Sequence, residues 1–151
     1  MNKKYGIMGL ILVVILATVM ISGCIGSDDN TNDKFPNAVT FQGVTFYLPE
    51  GYEYVREVTQ GNTYFEGYTD GTNFIGLCYY QSMPLSEGLA NIKSKSDYTN
   101  INENTSFGGY SGFSADTTTD RIFVFEKDGK TLSIAMNKEL NFNEYVPKII
   151  C

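Results

Sequence analysis

The chain has 151 residues, of which 42% are hydrophobic, 14% aromatic and 19% charged, enough for one domain of ordinary size and too few for two. The whole chain carries a net charge of −6 at pH 7, with two lysines and no acidic residue in its first 23 residues, so the body beyond them is the more acidic part and nucleic acid is a poor partner. Histidine and tryptophan are absent, which excludes an imidazole general base, an imidazole metal ligand and every Ser-His or Cys-His nucleophile pair.

Lys3 and Lys4 precede an apolar run, Ile7–Ile21, of 15 residues. That is the length of a signal-peptide h-region, whereas a spanning helix wants about 20. The run ends in Ile21-Ser22-Gly23-Cys24, which resembles the lipobox of prokaryotic lipoproteins: a branched apolar residue, a small one, Gly and Cys. The resemblance implies that residues 1–23 are a signal peptide, cut before Cys24, and that the Cys24 sulfur is alkylated by a lipid glycerol. The alternative is an uncleaved signal anchor with Cys24 as a bystander. Both place the remainder at the extracytoplasmic face of the cell membrane. Residues 24–34 are small, polar and acidic, too poor in apolar surface to offset ordering entropy, and read as a flexible tether. Their composition is similar to that of surface lipoproteins of methanogenic archaea.

Residues 35–151 form the exported domain, with no internal repeat. Val39–Tyr47 reads as two short β-rich runs flanking Gln42-Gly43, either a tight hairpin or one bulged strand, after which Pro49-Glu50-Gly51 turns the chain. Tyr52–Thr59, Thr63–Tyr68 and Asn73–Gln81 are strand candidates separated by turn residues, the spacing of a meander. Leu85, Leu89 and Ile92 recur at helical spacing after Pro84, and Gly88 weakens that helix by about 1 kcal/mol. The polar stretch Lys93–Ser106 offers few apolar anchors and reads as an exposed connection with an edge strand near Ile101. A strand over Tyr110–Ala115 follows.

Asp128-Gly129 between two apolar runs predicts a type I′ hairpin. Counting outward pairs Lys127 with Lys130, Phe125 with Leu132 and Phe123 with Ile134. Val124 then opposes Ser133, and Ile122 opposes Ala135, on the other face. Asn141-x-x-Glu144 opens a last helix that carries Phe142, Val146, Ile149 and Ile150 and is kinked or shortened by Pro147. Segregated antiparallel strands and helices predict an α+β domain: a single antiparallel sheet with one or two helices packed on it. Phe41-x-Gly-x-Thr-Phe46 with Leu48-Pro-Glu-Gly-Tyr52, and the closing hairpin with its helix, resemble the PsbP/Mog1-type domain. That resemblance implies an accessory role beside a membrane complex, and it carries no functional residue with it.

Cys78 and Cys151 are the thiols left once Cys24 is lipidated. They are either a disulfide, worth roughly 3–5 kcal/mol in the chain-entropy model, or a buried apolar thiol and a free terminal one. Asn104-Thr105-Ser106 is the one N-glycosylation sequon. The tyrosine cluster, of which Tyr52, Tyr64 and Tyr80 are chosen, offers large contact area with polar tips, suited to a protein interface or to sugar stacking. Glu50, Glu53, Glu57, Glu66 and Asp70 read as solvated charge, and no metal site, cofactor motif or catalytic residue is identified. The expected function is that of a lipid-anchored binding or accessory module, not an enzyme, docking a protein at the membrane surface. The alternative is a small-ligand or glycan binder using a tyrosine-rich face, with a carboxylate-based hydrolase third.

Overall fold

The computed structural model describes residues 34–151. The signal peptide, Cys24 and all of the tether except Lys34 lie outside the described residues. Among those described, no helix is long and apolar enough to cross a membrane.

The chain first makes a small hairpin, β1 (Asn37–Phe41) and β2 (Val44–Leu48). Its turn residues Gln42 and Gly43 sit at φ +51° and +77°, the positive angles of a type I′ loop. A meander follows in β3 (Glu53–Gln60), β4 (Thr63–Thr69) and β5 (Phe74–Tyr80). Helix α1 (Leu85–Lys93) leads to a second meander of β6 (Thr99–Phe107), β7 (Tyr110–Asp116), β8 (Asp120–Lys127) and β9 (Lys130–Asn137), and α2 (Phe142–Ile149) closes the chain. The two meanders join at β5 and β9 in one antiparallel sheet of seven strands, ordered β3-β4-β5-β9-β8-β7-β6.

The α+β reading with an antiparallel sheet and two helices is thereby met, with one correction to the single sheet. β1 and β2 do not extend the main sheet but pair only with each other. The reason is their alternation, since Phe41, Val44, Phe46 and Leu48 are all buried in the main core. The hairpin therefore covers the sheet face-on, as a lid, instead of bonding to its edge. The edge strand expected near Ile101 is present as β6, which at nine residues takes up much of the stretch read as a connection. Its backbone pairing to β7 is broken by two register shifts, so alternation is irregular and period 2 is hidden.

The β8–β9 register is the one predicted, from Lys127–Lys130 through Phe123–Ile134. It sends Phe123, Phe125, Leu132 and Ile134 into the larger core beneath α2 and the hairpin. Val124 and Ile122 enter a smaller core under α1 with Ile92 and Phe113. Pro84 is the N-cap of α1. At α2 the Asn141 carbonyl accepts the Glu144 and Tyr145 N–H groups, while no side-chain cap bond forms.

Candidate functional site

β3 is a sheet edge, paired on one side with β4 and on the other with no described strand. All eight of its residues are exposed. Among the described residues the exposed large hydrophobics are Tyr54 (53%), Val55 (49%) and Val58 (45%), and all three stand on this strand. Single exposed apolar residues are ordinary, but an unpaired strand edge presents free backbone N–H and C=O groups that can pair with another chain. The opposite edge, β6, is guarded by its register shifts, by Asn100 at φ +50° and by the Lys93–Glu103 ion pair. On β3 one irregularity falls between Tyr54 and Arg56, and pairing from Arg56 to Gln60 is regular.

The register sorts the β3 and β4 side chains by face. On the α2 side, Tyr54 meets Tyr68 edge-on with centroids 5.9 Å apart, and Glu57 stands opposite Glu66. The Tyr68 hydroxyl donates to Glu66 Oε2 at 2.5 Å. Burial, then this bond, pushes the Tyr68 pKa above its ordinary value, so it stays a neutral donor. Among the described residues no donor bonds Glu57, and two carboxylates facing each other across strands repel. On the α1 side, Val58 pairs with Phe65, and the Arg56 guanidinium lies 5.5 Å from the Phe65 ring centroid and 5.9 Å from that of Phe74.

A second feature is a cleft of about 210 Å³ between α1 and the sheet, lined by Tyr80, Ile92, Tyr98, Phe113 and Val124, with Lys95 also bordering it. The Tyr80 hydroxyl is 3.1 Å from Ser133 Oγ. Cys78 stands opposite Ser133 in register, and burial pushes its thiol pKa up.

The structure separates the three tyrosines chosen from the sequence. Tyr64, on β4, stacks on Tyr79 at 5.8 Å and donates to Gln81 Oε1 at 3.2 Å. Tyr52, like Tyr64, packs against the main core, and its buried hydroxyl has no hydrogen-bond partner among the described residues. Tyr80 belongs to the α1 side, because successive residues on a strand alternate between faces. A single face holding Tyr52, Tyr64 and Tyr80 is therefore not formed.

Of the two readings of Cys78, the bridge to Cys151 is not formed, since Cys78 is a free thiol. The same alternation explains it. Cys78 shares the α1 face with Tyr80, whereas Cys151 follows α2, whose Val146, Ile149 and Ile150 lie in the core on the other side. Asn104 is exposed on β6, with buried Thr105 turned inward and Ser106 exposed beside it. Asp70 closes the β4–β5 turn, where bonds from the backbone and side chain of Asn73 hold its carboxyl below the usual range.

Tyr54 belongs to the tyrosine cluster of the sequence but is not among the three chosen from it, and Val55 and Val58 are not marked by the sequence at all. Their available signal was the irregular apolar spacing of β3, which fits neither face of a half-buried strand. Comparison with protein-family models, with curated proteins and with solved structures finds no match for this chain.

Proposed function

We propose that the protein is a lipid-anchored extracytoplasmic module that docks another protein at the membrane surface and does no catalysis. The observation that carries the docking reading is the placement of Tyr54, Val55 and Val58 together on the unpaired edge of the sheet. An open, apolar-bearing edge is costly to keep, because it also invites aggregation. A docking partner that adds a strand there satisfies its backbone groups and covers its side chains. The anchor rests on the Ile21-Ser22-Gly23-Cys24 pattern behind its apolar run. The PsbP/Mog1-type resemblance belongs to the same proposal: an antiparallel sheet closed by a hairpin and a terminal helix suits an accessory domain beside a membrane complex.

Affinity capture of the tagged protein from gently solubilised membranes, against a Cys24→Ser control, tests the reading. One near-stoichiometric protein enriched over the control is expected, and no enriched protein overturns it. Intact mass of the membrane-extracted chain tests the anchor separately. The expected product begins at a lipid-modified Cys24, and an unmodified chain beginning at Met1 refutes it.

The second reading, a small-ligand binder, is favoured by the cleft under α1, where tyrosine rings and apolar side chains line a concave space. It is tested by a metabolite and glycan screen read as a rise in melting temperature.

A further inference from the structure

The docking reading above leaves the partner's chemistry open, and the inference drawn here rests on it. We propose that the open edge of β3 accepts an extended, basic segment of a partner protein, added as an antiparallel strand with a Lys or Arg side chain opposite Glu57.

The backbone sets the place. Gln60 and Thr63 flank the two-residue loop Gly61-Asn62, with Gly61 at φ +58°, and a loop of two residues is closed by a hydrogen-bonded pair. Bonded and non-bonded pairs then alternate along the hairpin. Gln60, Val58 and Arg56 bond inward to β4, while Thr59 and Glu57 turn their N–H and C=O groups to the open edge. This is the stretch where pairing is regular. An incoming strand thus finds four backbone groups at two anchor residues.

The side chains set the occupant. A partner residue bonded at Glu57 falls on the face where Glu57 and Glu66 oppose each other, and a cation there relieves their repulsion. Its neighbour in the partner meets Val58 on the other face, where an apolar side chain would lie beside the Val58–Phe65 pair. The matching segment alternates basic and apolar residues. A second copy of this chain matches less well. Its net charge of −6 repels, and a two-fold pairing centred on Val58 puts Thr59, not a cation, opposite Glu57.

The test uses the full-length protein in detergent and three fluorescein-labelled synthetic peptides: alternating Val-Lys, alternating Val-Glu, and a Val-Lys peptide interrupted by proline. Fluorescence anisotropy is expected to show the Val-Lys peptide binding about tenfold or more tighter than either other peptide. Thr59→Pro removes an edge N–H that β4 does not use, so it should keep the melting temperature within a few degrees while lowering Val-Lys binding at least about tenfold. Glu57→Lys should reverse the preference toward Val-Glu. Equal binding of Lys and Glu peptides, or indifference to Thr59→Pro, overturns the proposal. Sedimentation showing a dimer that Thr59→Pro dissolves assigns the edge to a second copy and overturns the basic partner alone, leaving the docking reading standing. If Thr59→Pro still captures its membrane partner undiminished, docking occurs elsewhere and this inference fails while the proposed function survives.

Discussion

Phe65 and Phe74 stack with ring centroids 6.0 Å apart and planes 19° from parallel, lying against the glycines of β4 and β5. A Cβ on Gly76 would come within 2.7 Å of Phe65, and one on Gly67 within 2.8 Å of Phe74. The paired glycines, opposite each other in register, supply the flat floor on which the rings rest. Gly76→Ala is expected to displace Phe65 and to lower stability by about 1–3 kcal/mol, the usual range for overpacking. At Gly112 a Cβ would strike the Val124 carbonyl itself. Backbone cannot swing aside as a ring can, so Gly112→Ala should cost above about 3 kcal/mol. Urea denaturation orders the two, and a Gly112→Ala midpoint equal to that of the parent would refute the steric account.

Lys127 is 7% exposed and donates from Nζ to the Ile150 carbonyl at 2.9 Å. Its ammonium also lies 4.9 Å from the Tyr110 ring centroid. The lysine ties the β8–β9 turn to the C-terminal end of α2, where helix carbonyls lack partners and favour a cation. Lys127→Met keeps the apolar stem but leaves that carbonyl unbonded, at a cost of about 1–3 kcal/mol. Amide exchange in Val146–Ile150 should rise more than exchange in β5. Uniform loss of protection would show a general effect, not a local anchor.

Both ends of the pH scale should destabilise the fold, for separate reasons. Asp116, 4% exposed, accepts from Arg121 Nε at 2.6 Å and from Asn100 Nδ2 at 3.0 Å. The Arg121 bonds hold its carboxyl below the usual range. Stability from this site is thus present above the unfolded value near 4 and is lost as pH falls through the lower folded value. At the alkaline end, burial raises Tyr68 and Tyr80 above their ordinary value. Their contribution is full below about pH 10 and is lost as pH rises toward the folded values. A stability plateau between about pH 5 and 9 is expected. Asp116→Asn should flatten the acid limb and Tyr80→Phe the alkaline one. Unchanged limbs would assign those transitions to other groups.

The parts of the fold legible in the sequence were those where one local rule sufficed. Asp128-Gly129 demands positive φ, and Asp128 at +53° with Gly129 at +71° meets the demand. The turn then determines the whole β8–β9 register by counting. The same parity argument was available for Cys78 and Tyr80, but which sheet face α2 would cover depends on packing between residues far apart in the chain. Without that, Cys78 and Cys151 could be paired on paper. The open edge was illegible for a related reason. Tyr54, Val55 and Val58 look like core candidates, and only the strand order, with β9 and not β3 beside β5, leaves them outside.

Cys78 should behave as a slow thiol. Its burial, and a pKa raised by that burial, leave little accessible thiolate at neutral pH. Peptide mapping after iodoacetamide treatment of the native protein should show Cys78 largely unmodified, and full modification after denaturation. Rapid native labelling would mean that the cleft wall at Tyr80 opens readily.

Gly88 differs from the strand glycines because its conformation and space both admit a side chain. It lies inside α1, where glycine costs about 1 kcal/mol relative to alanine. A Cβ there would meet Met83 Cε and Phe113 Cζ at 3.6 Å, ordinary van der Waals distance. Gly88→Ala should therefore raise stability by about 0.5–1 kcal/mol, read as a higher melting temperature. Gly88 also lines the cleft under α1, so the added methyl narrows it. The variant consequently separates the two functional readings. A module that docks through β3 loses nothing and captures its partner as before, whereas a binder that uses the cleft loses affinity while gaining stability. A fall in stability would instead show that α1 packs too tightly for alanine at this position.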